Sequence, residues 1–201
     1  MSNRTLQLAV IVASVREGRF GPAVARWFRE EARQHGQFAV DVIDLAETPL
    51  PLALPPVSPK NEANYPRPAG MAEVTATLAA ADAFVVVTPE YNHSFPASIK
   101  ALIDWHFTQW QAKPVGFVSY GGLGGGIRAV EQLRLVFAEM HAVGVRDTVS
   151  FANYWELFDA EGRLVEPEGP QGAAKIMLDQ LVWWATALYH AQAENPYQVA
   201  G

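Results

Sequence analysis

Pro89-Glu90-Tyr91-Asn92-His93-Ser94-Phe95-Pro96 follows the apolar, β-branched run Ala83-Phe84-Val85-Val86-Val87-Thr88 and precedes Ala97-Ser98-Ile99-Lys100-Ala101-Leu102-Ile103-Asp104-Trp105. The first flank reads as a buried strand and the second has the apolar spacing of a helix. A polar loop between strand and helix lies, in an open α/β sheet, at the carboxyl end of the strand, where ligands bind. The two prolines restrict the loop and lower the entropy lost when it grips a ligand. Amides, a hydroxyl and an aromatic ring between them suit a flat heterocycle with hydrogen-bonding edges.

The same reading extends along the chain. Strands are predicted at Leu6–Ala13, Phe38–Asp44, Ala83–Thr88, Pro114–Ser119 and Val145–Phe151. Helices are predicted at Gly21–Gly36, Gly70–Asp82, from Ala97 to about Trp110, Gly125–Val143 and Gln171–Ala193. Strict alternation of strand and helix implies a doubly wound α/β domain, with a parallel sheet covered by helices on both faces. Five such strands take the order 2-1-3-4-5, with the switch point between strands one and three. Residues 1–201 read as one domain. Two segments break the rhythm: 46–69, which holds seven of the fourteen prolines, and 152–170. A loop as long as 46–69 in a compact domain is functional, interfacial or a plain surface excursion.

Composition narrows the function. A net charge of −6 disfavours nucleic acid and anionic membranes as partners. The absence of cysteine removes disulfides, thiolate catalysis and cysteine-bound metals, and suits a cytoplasmic protein. The first residues lack a cleavage site after the apolar run and read as a strand, not a signal peptide. The five histidines show no zinc-binding spacing. His106 and His141 fall within predicted helices as structural groups, and only His93 lies in a candidate site. Phe117-Val118-Ser119-Tyr120-Gly121 lacks the leading glycine of a nucleophile elbow, which disfavours a hydrolase.

Two further loops share the edge with the opening one. Ser14-Val15-Arg16-Glu17-Gly18-Arg19-Phe20-Gly21-Pro22 opens into a helix, and helix N-termini attract anions. Ser14, Arg16 and Arg19 fit a phosphate there; the alternative is a turn with two solvated arginines. Ser119-Tyr120-Gly121-Gly122-Leu123-Gly124-Gly125-Gly126 carries five glycines in eight residues and lets backbone approach a ligand. It satisfies a dinucleotide pattern only formally, because it follows the fourth strand and not the first. A phosphate at the first loop and a ring against the other two describe FMN. Glu90 reads as a capping or solvated carboxylate, with a general base as the alternative. Crowding of Trp105, Phe107 and Trp110 points either to burial or to a homodimer interface.

Together the three loops resemble the NADPH-dependent FMN reductase family, a flavodoxin-like group that includes azoreductases, quinone reductases and chromate reductases. The resemblance rests on Ser14-x-Arg16 with Arg19-x-Gly21, on Pro89-Glu90-Tyr91-Asn92, and on Ser119-Tyr120-Gly121-Gly122 followed by Arg128-Ala129-Val130-Glu131-Gln132-Leu133-Arg134. Ala13 stands where the family usually has glycine. The resemblance implies that Ser14, Arg16, Arg19, Phe20 and Gly21 hold the FMN phosphate and ribityl chain. Pro89, Glu90, Tyr91 and Asn92 would meet the edge of the isoalloxazine, and Ser119, Gly121 and Gly122 its other side. It further implies hydride transfer from NADPH to flavin N5, then electron transfer to a small acceptor (free flavin, quinone, azo compound or metal oxyanion) by a ping-pong route in a homodimer or homotetramer. A flavodoxin-like electron carrier without NAD(P)H activity is the alternative, and a binder of some other phosphorylated ligand is a third.

Overall fold

A computed structural model describes residues 4–60 and 65–198. Six strands and six α-helices follow in the order β1 (Leu6–Val12), α1 (Gly21–His35), β2 (Phe38–Asp44), α2 (Ala72–Ala80), β3 (Ala83–Pro89), α3 (Ala97–Trp105), β4 (Pro114–Gly121), α4 (Ile127–Glu139), β5 (Val143–Gly144), β6 (Val149–Ala152), α5 (Tyr154–Leu157) and α6 (Glu168–Glu194). All strand pairs are parallel, and the sheet runs β2-β1-β3-β4-β5, with β6 also on β4. This is the flavodoxin-like order expected from the alternation.

Side-chain alternation along the central strands builds a core on each face. Leu8, Val10 and Val12 of β1 pack with Val24 and Phe28 of α1 and Met177 and Leu181 of α6. Ala9 and Ile11 point the other way, toward Leu78 of α2, Ile99 and Leu102 of α3, and Leu133 and Phe137 of α4. β3 is buried at every position, as a central strand covered on both faces must be. Gly36 ends α1 in the left-handed conformation, φ 78°, and its amide donates to the Arg33 carbonyl.

Several expected boundaries move. The fifth strand position is split into β5 and β6. Arg134 of α4 spans the gap, its Nη1 donating to the Val145 carbonyl at 2.6 Å and its Nη2 to the Arg146 carbonyl at 2.9 Å. Helix α3 stops at Trp105, not Trp110, and leaves His106 just beyond its end. His106 is buried, with Nδ1 2.9 Å from the Leu102 carbonyl and Nε2 2.9 Å from Thr75 Oγ1. His141 lies in a turn at φ 58°, not in a helix. Trp105, Phe107 and Trp110 are all buried within the chain, so they do not present an interface. The connection after residue 152 is more ordered than its glycines and prolines implied: it holds α5 and an antiparallel bridge between Phe158 and Leu164. The proline-rich segment forms no strand or α-helix in its described residues, and 61–64 lie outside them.

Away from the ligand edge, Lys113 Nζ donates to the carbonyls of Leu78 and Ala79, each at 3.0 Å, and caps the last turn of α2. Burial pushes this amine down to about 8, against the opposing attraction of Asp82. The unfolded lysine therefore binds more protons than the folded one between about pH 8 and its ordinary 10.5. The site penalises folding fully below that window and not above it. Measured by denaturant titration, the stability of the wild type relative to Lys113→Met is expected to rise with pH across the window and to stay flat below it. A difference that is flat across the window contradicts the assignment.

Candidate functional site

The first two loops leave the sheet from adjacent rungs. Val12 pairs with Val87, and one residue further on the Ala13 amide donates to the Val87 carbonyl at 2.9 Å. Ser98, in the first turn of α3, donates its hydroxyl to the Ala13 carbonyl at 2.5 Å. The third loop joins through the Glu90 amide, which donates to the Tyr120 carbonyl at 3.3 Å. Parallel pairing of β1, β3 and β4 thus delivers all three loops to one edge, at the switch point.

In the first loop Ser14 is 1% exposed, and its Oγ makes no well-aligned hydrogen bond among the described residues, the Tyr120 phenol being the polar group beside it. It faces the start of α1. A Cβ built on Gly21 would fall onto that hydroxyl, 2.9 Å from the Tyr120 hydroxyl and 3.1 Å from Val12 Cγ1. Burial pushes the Tyr120 phenol up to about 12, against the opposing pull of the Ser14 hydroxyl, so it is a neutral donor at any ordinary pH. A buried hydroxyl with bonding capacity to spare, a glycine that keeps its side open, and an α1 N-terminus without a side-chain cap make a donor set that fits a phosphate ester. Arg16 is exposed, with its guanidinium 5.9 Å from the centre of the Tyr91 ring. Arg19 is turned elsewhere: Nη1 pairs with Asp44 Oδ1 at 2.7 Å and donates to the Ser14 carbonyl at 3.2 Å. Phe20 stacks on Tyr154 at 4.7 Å and meets Phe158 edge-on, forming wall and not surface.

The second loop is a tight turn. Tyr91 and Ser94 exchange backbone hydrogen bonds at 2.8 and 3.0 Å. Asn92 and His93 between them have φ of 50° and 67°, the positive pair that a type I′ turn requires. Asn tolerates that region; His does so at a cost of about 1 kcal/mol. Glu90 is the brace: Oε1 pairs with Arg128 Nη1 at 2.8 Å, and Oε2 accepts from the Arg128 amide in the first turn of α4 at 3.2 Å. The capping role is the one the carboxylate takes up.

The third loop folds back on the sheet. Ser119 and Ser150 both donate their hydroxyls to the Gly125 carbonyl, at 2.8 and 2.9 Å. Ser119 is therefore turned inward and supports the loop. Gly125 and Gly126 adopt φ of 57° and 88°, which only glycine takes cheaply. Gly122 is exposed, with the exposed Trp155 of α5 3.7 Å from where its Cβ would stand, while a Cβ on Gly121 would meet the Gly126 amide nitrogen at 3.2 Å, so Gly121 lets the loop pack on itself.

Asp44, Tyr120, Tyr154 and Trp155 thus join the site without having been singled out in the sequence. An acid at a strand end beside a basic loop was a usable sign for Asp44. Tyr120 stands inside the quoted Ser119-Tyr120-Gly121-Gly122 motif without a role of its own, and nothing local marks Tyr154 and Trp155, which α5 brings to the edge directly after β6. The hollows elsewhere are of another kind. One of about 640 Å³ between α1 and α6 is lined by Glu31, His35, Lys175 and Asp179, at the end of α1 opposite the first loop. Another, of about 400 Å³, adjoins the first loop and is lined mostly by apolar residues, among them Val15, Leu50 and Ala101. Among the described residues no cluster of three or more metal-ligating side chains occurs, and no helix is long and apolar enough to cross a membrane.

Gly21→Ala is expected to lower stability by about 1–3 kcal/mol, because the methyl group must displace the buried Ser14 hydroxyl. Equilibrium denaturation checks this, and an unchanged midpoint would show that the space is not needed.

The comparisons with known proteins agree with this geometry. The chain is 35% identical over 122 residues to an NAD(P)H-dependent FMN reductase of Schizosaccharomyces pombe, covering 61% of each chain. It is 30% identical over 151 residues to an NAD(P)H-dependent FMN reductase of Saccharomyces cerevisiae, covering 69% of this chain and 78% of that one. It is 28% identical over 187 residues to a 2-hydroxy-1,4-benzoquinone reductase of a Burkholderia species, covering 89% and 96%. In fold it is similar to the flavoenzyme NAD(P)H:(acceptor) oxidoreductase FerB from Paracoccus denitrificans, with a TM-score of 0.68 at 20% identity, over 90% of this chain and 98% of that one. The profile described as NADPH-dependent FMN reductase matches residues 6–156, from the start of β1 into α5, and the chain belongs to that family.

Proposed function

We propose that this chain is an FMN-dependent NAD(P)H oxidoreductase that reduces its flavin with NADPH and passes the electrons to a small acceptor. The observation that carries the reading is the buried Ser14 hydroxyl, beside the Tyr120 phenol and facing Gly21 at the uncapped start of α1, on the switch-point edge of a flavodoxin-like sheet. When bound, FMN supplies the hydride and electron chemistry; the protein's work is to hold it and to control access.

Each chain element has a part in that work. Ser14, Arg16 and the Gly21 backbone hold the phosphate, while Arg19 and Phe20 shape the loop through Asp44 and Tyr154. The backbone of Pro89, Glu90, Tyr91 and Asn92 meets the ring edge. Gly122 leaves room for close approach, and Gly121 and Ser119 fix the loop that carries it. No carboxylate or histidine is needed as an acid or base, which agrees with Glu90 being spent on Arg128. Arg19 and Arg128 are paired with carboxylates, which leaves Arg16 as the cation of the three for the FMN phosphate.

Names of relatives favour a quinone or free flavin as acceptor, by a ping-pong route in which donor and acceptor use the same face in turn. A homodimer or homotetramer in the cytoplasm completes the proposal. The electron-carrier alternative differs in one respect, because it would bind FMN without reacting with NADPH.

Purified protein mixed with FMN is expected to show a bound flavin band that NADPH bleaches in the absence of oxygen. A bound band that NADPH leaves intact would transfer the chain to the carrier reading. No bound flavin would contradict both.

A further inference from the structure

The turn at Asn92-His93 has a second support that the family resemblance does not assign. Gln132 lies in α4, one helical turn beyond Arg128, and residues four apart share a helix face. Its Nε2 donates to the His93 carbonyl at 2.7 Å, and its Oε1 accepts from the Ser94 hydroxyl at 2.6 Å. Arg128 meanwhile holds Glu90 at the other end of the same turn. One face of α4 therefore staples the segment from Glu90 to Ser94 at two points.

We propose that Gln132 is a positioning residue for the flavin ring: it keeps Asn92 and His93 in the left-handed conformation that presents the turn to the ligand. The turn contains one residue-to-residue bridge, Tyr91 with Ser94, and a two-residue bridge is marginal alone. His93 adds a conformational cost at φ 67°. The Gln132 amide satisfies both the His93 carbonyl and the Ser94 hydroxyl only when the turn is closed. Asn92 and His93 are exposed, so no packing from above substitutes for that clamp. The role rests on the flavin reading of the loop, while the clamp itself does not.

The test uses the full chain and two readouts. The first is amide hydrogen exchange at Tyr91 and Ser94 without flavin; the second is the FMN dissociation constant. Gln132→Ala is expected to speed exchange at both amides about tenfold and to weaken FMN about tenfold, as the loss of two hydrogen bonds implies. Adding His93→Gly to that variant creates Asn-Gly, the favoured type I′ pair, and is expected to restore both values to within about threefold of wild type. Ser94→Ala, which removes one bond, is expected to fall between and serves if Gln132→Ala does not fold. Unchanged exchange in Gln132→Ala, or in Ser94→Ala in its place, would overturn the clamp. Faster exchange with unchanged FMN affinity would overturn the positioning role. Failure of the double variant to recover would show that Gln132 acts other than through the backbone of the turn. If the wild type binds no FMN, the functional reading fails and the positioning role with it, while exchange still decides the clamp.

Discussion

Everything at the ligand edge depends on the pairing of β1 with β3. Both strands are buried on both faces, and their register continues past the last rung through the Ala13 amide and the Val87 carbonyl. The polypeptide must then diverge, because α1 packs on one face of the sheet and α3 on the other. That divergence opens the crevice between the first two loops. β4, paired to β3 up to Pro89 and Tyr120, brings the third loop alongside. Hydrophobic burial in the strands thus sets the spacing of polar groups that never touch the core.

The loops are held by interactions that use up most of their charge. Arg19 is paired with Asp44, and Arg128 with Glu90. Ser98, Ser119 and Ser150 spend their hydroxyls on carbonyls of Ala13 and Gly125. What remains uncommitted is small and local: the Ser14 hydroxyl, the Arg16 guanidinium, and backbone exposed beside glycines. A preorganised site of this kind binds without reorganising, which is how a protein holds a ligand that carries the reactive chemistry itself.

How much of this was legible in the sequence differs by element. β3 could be read because six consecutive apolar or β-branched residues admit few alternatives between a proline loop and a helix. The fifth strand could not be read correctly: Val145–Phe151 is a continuous pattern, and its interruption is made by Arg134, twelve residues from Arg146 and in another element. The end of α3 was misplaced because Phe107 and Trp110 keep helical spacing although the backbone has turned. Within the candidate site, Ser14 and Arg16 before a helix start could be read from local chemistry, whereas Gly21 and Pro89 to Asn92 were marked by the family resemblance. The inward turn of Ser119 and the pairing of Arg19 do not, since each depends on a partner chosen by the fold. The aromatic contacts of Tyr154 and Trp155 come from a segment with no local sign of order.

In the proposed function, the three loops that meet at the switch point form one flavin site. The most direct measurement is a map of backbone amide shifts by NMR as FMN is added to the labelled protein. Changes are expected to concentrate at Ser14–Gly21, Pro89–Asn92 and Tyr120–Gly122, with α1 and α6 quiet around His35 and Asp179. Changes centred on that other hollow, with the three loops unmoved, would contradict it.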